Sequence, residues 1–300
     1  MARAADRRRF LIGSATLAAA WLAAGCSEAP PPGATGTAGD TLERARAEGS
    51  MRVGFANEAP YAYAESATGG LTGEAPEIAR VVLAGIGVPA IEGVLTEFGS
   101  LIPGLVAGRF DVIAAGMYVL PERCKQVAFS NPTYSVGEAF VVARGNPLKL
   151  HGYADVARRS RARLGVVAGT VERGYAREAG VPEERIVVFP DAPSALEGVL
   201  AKRVDAFAGT SLTVNSLLTR AKAPGIERAV PFRDPVIQGR PVRGYGAFAF
   251  RKDDVKLIAA FDAGLARYIG TPEHQAAVKP FGFTAAELPG KITARELCKG

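Results

Sequence analysis

The apolar residues of this chain follow two alternating patterns, short continuous runs and longer segments with helical spacing. Residues 51–55 and 112–115 are short apolar runs and predict β-strands. Residues 75–84 and 100–107 instead repeat their apolar positions with the period of an α-helix. Because strands and helices alternate along the chain, we expect an α/β fold.

A second copy of this pattern begins 94 residues after the first, which predicts two lobes of similar construction. In each copy a serine is expected to cap a helix, and an Arg-x-Asp sequence precedes an apolar strand. The matching positions are Ser100, Gly104, Arg109 and Asp111 in the first copy and Ser194, Gly198, Arg203 and Asp205 in the second. Apolar runs at 139–143 and 247–250 bracket the second copy. We therefore expect residues 41–143 and 245–300 in lobe 1 and residues 144–244 in lobe 2.

The N-terminal residues have the layout of an export signal. A basic start with RRRFL at residues 7–11 precedes an uncharged apolar stretch, and LAAGC at residues 22–26 ends at a cysteine. The first motif resembles a twin-arginine signal and the second a lipobox, whose cysteine becomes lipidated. We expect residues 1–25 to be a signal peptide, Cys26 a lipid anchor and residues 26–40 a flexible tether. The protein would then lie outside the cytoplasm, held on the cell membrane by its lipid.

Composition and missing motifs exclude several classes of function. Four of the 36 basic residues and one of the 30 acidic residues lie in the first 25, which leaves 32 against 29, and this balance argues against nucleic-acid binding. Three cysteines and two histidines are too few for a zinc framework. GYGAFA at residues 244–249 has the spacing of a dinucleotide fingerprint, but residues 247–250 alternate like a strand where a helix is required. We expect a monomer that is not an enzyme and holds neither metal nor cofactor.

Two neighbouring motifs resemble the hallmark stretch of the extracellular solute-binding proteins of amino-acid-type ABC transporters. They are GMYVLPER at residues 116–123 and FSNPTY at residues 129–134, and the similarity extends over roughly residues 41–290. The resemblance implies a two-lobed, type II periplasmic-binding-protein-like fold whose lobes are joined by a two-stranded hinge. It also implies delivery of a small solute to ABC permease subunits, with Arg123 holding the ligand carboxylate. A guanidinium suits that role because it matches a carboxylate bidentately.

The chain departs from the typical amino-acid binders of this family at the positions that hold an amino acid. The usual Thr-x-Thr before the arginine is replaced by Tyr118 and Leu120, and the lobe 2 aspartate that receives the α-ammonium is replaced by Thr210. A buried primary ammonium without a carboxylate costs several kcal/mol. We therefore expect a ligand that lacks a primary ammonium.

A carboxylate and three aromatic rings beside the expected cleft favour a delocalised cation, because rings and carboxylates both bind such a group. These residues are Glu58, Tyr61, Phe98 and Tyr118. With Arg123 at the other end they describe a compact zwitterion with no further full charge in the pocket. The run FANEAPYAY at residues 55–63 is similar to that of the ectoine and hydroxyectoine binding proteins of compatible-solute transporters. Two alternatives stay open, a polar amino-acid or opine binding protein and a cyclohexadienyl dehydratase-like enzyme on the same fold.

Thr170 adds a candidate ligand contact from lobe 2. It follows an apolar strand at 164–168 and is expected to cap a helix whose free N–H groups face the cleft. Since a helix N-terminus favours an anion, the ligand carboxylate would bridge this terminus and Arg123.

Two cysteines remain once Cys26 is lipidated. Cys124 and Cys298 would then lie in an oxidising compartment, where a bridge is expected more often than a free pair. We expect them to be bonded to each other.

Overall fold

Two β-sheets with helices packed on them form the part of the chain that the structure describes. The structure is a computed structural model that describes residues 40–237 and 240–299. The predicted signal peptide, the lipid anchor Cys26 and all of the predicted tether except Asp40 lie outside the described residues. No helix within the described ranges has the length and apolar character needed to cross a membrane.

The strands and helices alternate along the chain, as the apolar pattern predicted. The strands are Ser50–Phe55 (β1), Tyr63–Ala64 (β2), Leu71–Thr72 (β3), Ala90–Leu95 (β4), Val112–Tyr118 (β5), Ala128–Phe129 (β6), Tyr134–Val136 (β7), Glu138–Ala143 (β8), Leu164–Val167 (β9), Ile186–Phe189 (β10), Ala206–Thr210 (β11), Ile226–Arg228 (β12), Val236–Ile237 (β13), Arg240–Pro241 (β14) and Gly244–Phe250 (β15). The α-helices are Thr41–Glu48 (α1), Glu74–Gly85 (α2), Leu101–Val106 (α3), Pro121–Cys124 (α4), Tyr153–Arg158 (α5), Glu172–Glu178 (α6), Ala192–Leu200 (α7), Ser211–Ala221 (α8), Val255–Tyr268 (α9), Pro272–Val278 (α10) and Ala294–Leu297 (α11). Short 3₁₀ turns occur at Phe98–Ser100, Glu183–Arg185, Lys279–Phe281 and Ala285–Glu287.

The first sheet has the order β4-β1-β5-β15-β6, and β7 also pairs with β15. The strands β4, β1 and β5 are parallel, whereas β15 runs antiparallel to β5. Apolar residues of β1 and β5, such as Met51, Val53 and Val112, are fully buried beneath the flanking helices. We call this sheet and the helices on it the first lobe.

The second sheet has the order β10-β9-β11-β8-β12. Its strands β10, β9 and β11 are parallel, and β8 is antiparallel to both β11 and β12. Helices α6, α7 and α8 pack on this sheet. We call this assembly the second lobe, and the two lobes together form the predicted two-lobed α/β fold.

Two adjacent strands carry the chain between the lobes. The first crossing is at Gly137, between β7 of the first sheet and β8 of the second, and the chain returns to the first sheet at β15. β7 pairs with β15 from Tyr134 to Val136, so the two crossings lie side by side. The sequence pattern assigned residues 139–143 to lobe 1, whereas β8 pairs only with strands of the second sheet among the described residues. An apolar run predicts a buried strand but carries no information about which sheet the strand joins.

The internal repeat corresponds to a helix followed by a central strand in each lobe, α3 with β5 and α7 with β11. Gly104 and Gly198 provide space for an aromatic ring, since a Cβ there would lie 2.8 Å from the Phe110 ring and 2.5 Å from the Phe189 ring. Ser100 is the N-cap residue of α3, as predicted, but it makes no capping side-chain hydrogen bond. The predicted cap at Ser194 is wrong, because α7 is capped by Asp191, whose carboxylate accepts from the Ser194 backbone N–H at 2.7 Å.

Candidate ligand-binding site

A cavity is lined by residues from both lobes. It contains all six residues that the sequence predicted to bind a ligand, together with four that it did not. The lining residues are Glu58, Tyr61, Phe98, Gly116, Tyr118, Arg123, Thr170, Val171, Glu172 and Thr210. The structure therefore brings the six residues together, and their role in binding stays a prediction.

Glu58 lies in the loop after β1 and is held by hydrogen bonds to both lobes. Its backbone N–H donates to the Ala62 carbonyl at 2.9 Å, and its Oε1 accepts from the hydroxyl of Thr213, in the first turn of α8, at 2.8 Å. Desolvation raises the pKa of Glu58 to about 7, and the negative charge of Glu172 adds to the rise, while the Thr213 hydrogen bond opposes it. A neighbouring cation would restore the ionised form.

The hydroxyl of Thr210 is part of a chain of hydrogen bonds that connects the two lobes. The Tyr61 hydroxyl lies 2.7 Å from Thr210 Oγ1, which donates to Thr213 Oγ1 at 3.0 Å, and Thr213 in turn donates to Glu58. Thr210 also caps α8 by accepting from the Thr213 backbone N–H. A hydroxyl can accept and donate at once, which a carboxylate cannot do. Threonine here therefore links the lobes and orients the Glu58 carboxyl group.

Aromatic rings form one wall of the cavity. Tyr61, Phe98 and Tyr118 have exposed fractions of 2%, 8% and 3%. The Tyr61 ring stacks on Tyr134 with centroids 5.1 Å apart, and the Tyr118 ring meets Tyr134 edge-on at 6.4 Å. Tyr61 and Tyr118 are therefore both held by packing against Tyr134.

Two glycines of β15 make room for these rings. A Cβ at Gly244 would lie 1.9 Å from the Tyr118 ring, and one at Gly246 would lie 2.1 Å from the Tyr134 ring. The interpretation of residues 247–250 as a strand is confirmed, because β15 spans the whole GYGAFAF segment. The glycines of the apparent dinucleotide fingerprint thus serve close ring packing.

Arg123 lies in the short helix α4, directly after β5, and bonds to both lobes. Its Nη1 donates to the Tyr118 carbonyl at 2.9 Å, and its Nη2 donates to the Gly169 carbonyl of the second lobe at 2.9 Å. The guanidinium lies over the Phe98 ring, with Cζ 5.5 Å from the centroid. Desolvation lowers the pKa of Arg123, although the arginine stays charged, since its ordinary pKa is far above neutral.

Thr170 lines the cavity, but it does not cap a helix. The helix α6 begins at Glu172 with Val171 as its N-cap, and the Thr170 hydroxyl donates to the Val167 carbonyl at 2.9 Å. Gly169, with φ +79°, turns the chain tightly at this point, and the helix starts one residue later than a Thr170 cap requires. The predicted cap is therefore wrong by one residue, whereas Thr170, Val171 and Glu172 all line the cavity, and the ligand contact stays a prediction.

Glu172 is the functional candidate that sequence reasoning missed. It is 4% exposed and lines the cavity, and its Oε2 has no hydrogen-bond partner among the described residues. Desolvation raises the pKa of Glu172, while the Thr170 hydroxyl, its own backbone N–H and Arg123 oppose the rise. In the sequence it is an acidic residue in the first turn of a helix, where a carboxylate ordinarily faces solvent. No local signal distinguishes this buried glutamate from an exposed one.

Glu138, the first residue of β8, is a third buried carboxyl group in this region. It is 3% exposed and its Oε2 accepts from the Tyr153 hydroxyl at 3.2 Å. Desolvation raises the pKa of Glu138, and the charge of Glu172 is the next cause. Glu138 is not among the residues that line the cavity, so Glu172 is the acidic lining residue that the expectation of Glu58 alone missed.

Cys124 and Cys298 form a disulfide with an S–S distance of 2.05 Å and a sequence separation of 174 residues. The bond fastens the C-terminal helix α11 to α4, the helix that carries Arg123. The Ala294 backbone N–H adds a hydrogen bond to Asn131 Oδ1 at 3.1 Å. The C-terminal segment thus supports the element that positions the guanidinium.

The described residues contain no group of three or more histidine, cysteine, aspartate or glutamate side chains that could hold a metal ion. The groups that line the cavity are one guanidinium, two carboxyl groups, aromatic rings and hydroxyls, all of which can bind a ligand. Such a set can bind a small molecule that carries both a carboxylate and a cation.

Comparison with known proteins identifies related chains along nearly the whole described length. The family of bacterial extracellular solute-binding proteins, family 3, matches residues 51–283. A probable amino-acid ABC transporter periplasmic-binding protein, y4tE of Sinorhizobium fredii (strain NBRC 101917 / NGR234), is 38% identical over 263 residues, which is 86% of each chain.

Two solved structures share the fold. The crystal structure of EhuB in complex with hydroxyectoine has a TM-score of 0.79 and 36% sequence identity, over 87% of this chain and 99% of that one. The ancestral amino-acid-binding protein AncCDT-1, a precursor of cyclohexadienyl dehydratase, has a TM-score of 0.68 at 23% identity, over 80% and 99% of the two chains. At that identity the second likeness shows the fold alone. The chain belongs to the family 3 bacterial extracellular solute-binding proteins.

Proposed function

We propose that this protein captures a small zwitterion with a delocalised cation, ectoine or hydroxyectoine, and delivers it to the permease of an ABC importer. The observation that carries the proposal is a single cavity with Arg123, Glu58 and three aromatic rings in its wall. The guanidinium suits the ligand carboxylate. The rings and the carboxyl group suit a cyclic amidinium, since a desolvated cation–π contact contributes about 2 kcal/mol. The likeness to EhuB, whose crystal structure contains hydroxyectoine, supports this assignment.

The absence of an aspartate at position 210 supports a ligand without a primary ammonium. Thr210 is engaged by Tyr61 and Thr213, and its hydroxyl carries no charge. A primary ammonium bound there would face no counter-charge from this residue.

A polar amino acid is the second candidate, and Glu172 is the observation that favours it. A buried carboxyl group with an unpaired oxygen in the cavity could accept an α-ammonium from the second lobe. The name of the relative y4tE, a probable amino-acid transporter component, points in the same direction. The aromatic wall favours the amidinium, because an α-ammonium needs hydrogen-bond acceptors more than ring faces.

Isothermal titration of the purified protein against ectoine, hydroxyectoine, glycine betaine, proline, glutamine and arginine tests the proposal. We expect the two ectoines to bind at least about tenfold more tightly than the other four ligands, a difference of about 1.4 kcal/mol. Glycine betaine is the matched control, since it is a zwitterion whose cation has no N–H group. Tighter binding of glutamine or arginine would instead support the amino-acid candidate. The same panel can be read from the rise in melting temperature that a bound ligand causes.

We also propose that the protein is exported and then anchored through a lipid on Cys26. The support is the lipobox-like LAAGC sequence at residues 22–26, which follows the twin-arginine-like RRRFL. Replacing the cysteine, Cys26→Ser, should move the protein from the membrane fraction to the soluble extracytoplasmic fraction. Fractionation of cells followed by immunoblotting measures this distribution, and an unchanged membrane-bound share would exclude a lipid anchor at this residue.

A further inference from the structure

Two carboxyl groups approach the cavity from opposite lobes. Glu58 comes from the loop after β1 of the first lobe, and Glu172 comes from the start of α6 in the second. The Glu58 carboxyl accepts from Thr213, whereas Oε2 of Glu172 is buried without a partner among residues 40–237 and 240–299. A buried unpaired carboxyl oxygen is costly, so such an atom at the wall of a binding cavity indicates a hydrogen-bond donor on the ligand.

The charges of the cavity also call for a ligand cation with more than one contact. Six titratable groups interact electrostatically with the Glu172 carboxyl group. They are Arg123, Glu58, Glu138, Tyr118, Tyr153 and Tyr175. Arg123 is the single cation among these groups and faces the carboxylate of a zwitterionic ligand in the proposed complex. The positive end of the ligand is then left with two carboxyl groups, one from each lobe.

The geometry of the cation decides whether it can use both carboxyl groups. The N–H bonds of a cyclic amidinium sit on two nitrogens separated by one carbon, and the ring directs them away from each other. One carboxylate therefore cannot accept both with good hydrogen-bond angles, whereas two carboxylates on opposite sides can. A primary ammonium instead carries its donors on a single nitrogen.

We propose that Glu172 is a specificity-determining residue that accepts the second N–H of the ligand amidinium while Glu58 accepts the first. This role rests on the proposed function and deepens it, because it names the feature of the ligand that the pocket selects. The ligand class is a small ring acid whose delocalised cation has two divergent N–H groups. Ligand binding then also joins the lobes, since each carboxyl group belongs to a different one.

The test compares three isosteric substitutions by isothermal titration with ectoine. Glu172→Gln and Glu58→Gln should each weaken binding by about 10- to 100-fold, the range for the loss of a charged hydrogen bond. Glu178→Gln is the matched control, since Glu178 is an exposed residue at the other end of the same helix. It should leave the affinity within about twofold of the parent value. Thermal melting of each ligand-free variant checks folding, and Glu172→Gln should melt no lower than the parent, because it replaces a buried acid with a neutral group.

A second measurement distinguishes a ligand contact from a structural effect. Both carboxyl groups have raised pKa values, and a bound cation favours their ionised forms, so the parent should release protons on binding near pH 6.5. Affinity should accordingly rise from pH 5.5 to pH 8. Titration in buffers of different ionisation enthalpy counts the released protons, and Glu172→Gln should release fewer than the parent.

The outcomes separate the two levels of the proposal. A parent protein that binds neither ectoine nor hydroxyectoine contradicts the proposed function itself. A parent that binds ectoine, together with a folded Glu172→Gln variant that binds it within about twofold and releases as many protons, overturns the role of Glu172 while the proposed function stands.

Discussion

Arg123→Met should weaken ligand binding by roughly two to three and a half decades, because it leaves the ligand carboxylate buried without a counter-charge. Removing one partner of a buried ion pair costs about 3–5 kcal/mol, which corresponds to that range of affinity. The substitution also removes the hydrogen bond from Arg123 to the Gly169 carbonyl, a contact between the lobes. Isothermal titration with the best ligand of the panel measures the loss.

Two controls make the arginine result interpretable. Arg123→Lys keeps the charge but loses the planar fork, so its affinity should lie between those of the parent and the methionine variant. Arg161→Met makes the same chemical change at an exposed residue of the second lobe and should leave binding unchanged. Binding by a folded Arg123→Met variant at the parent affinity would exclude Arg123 as the carboxylate partner. Since the arginine is expected in amino-acid binders too, this test does not choose between the two ligand candidates.

Removing the disulfide should produce the largest loss of stability. Cys124→Ala combined with Cys298→Ala opens a loop of 174 residues, which in the entropic model lowers the free energy of unfolding by about 5 kcal/mol. For a chain of this size the melting temperature should fall on the order of 10 °C. The ligand affinity of the folded variant should change much less, because Arg123 keeps its bonds to the Tyr118 and Gly169 carbonyls.

Reduction of the parent provides the matched control for the disulfide. Dithiothreitol should lower the melting temperature of the parent toward that of the double variant and leave the double variant itself unchanged. Equal melting temperatures for the oxidised parent and the double variant would contradict a stabilising bridge. Thiol titration of the unreduced protein in a Cys26→Ser background should find no free thiol.

The sequence predicted the features that depend on local patterns. The strand at 112–115 was recognisable because parallel strands buried on both faces are continuously apolar. In the strand at 51–55 only Arg52 carries a charge, and it is half-buried between buried neighbours. The six candidate ligand residues meet in one cavity because most of them follow strand ends, which lie together at one edge of a parallel sheet. The resemblance to a known family supplied the role of Arg123, which no spacing rule provides.

The sequence did not predict features that depend on tertiary surroundings. Glu172 has the sequence context of an ordinary first-turn carboxylate, and only the folded chain shows that it is buried between the lobes. The N-cap at Val171 follows a tight turn at Gly169, where a Cβ would lie 2.6 Å from Gly99 Cα. The crossing at Gly137 depends on the pairing of β8 with β11 and β12, which are distant in sequence. A local sequence pattern predicts that a helix or strand is present. The exact ends of that helix or strand, and the strands it pairs with, depend on tertiary contacts.

Gly244 and Gly246 lie in β15 and set how closely this strand packs against aromatic rings beside the cavity. Neither glycine lines the cavity, yet the Tyr118 and Tyr134 rings rest directly on their backbone. Even a single methyl group at either position would displace a ring, because a Cβ would lie 1.9 Å from the Tyr118 ring or 2.1 Å from the Tyr134 ring. Tyr118 lines the cavity, and Tyr134 packs edge-on against it. Pocket volume in this protein can therefore be tuned from behind its aromatic wall, by residues that never touch the solute.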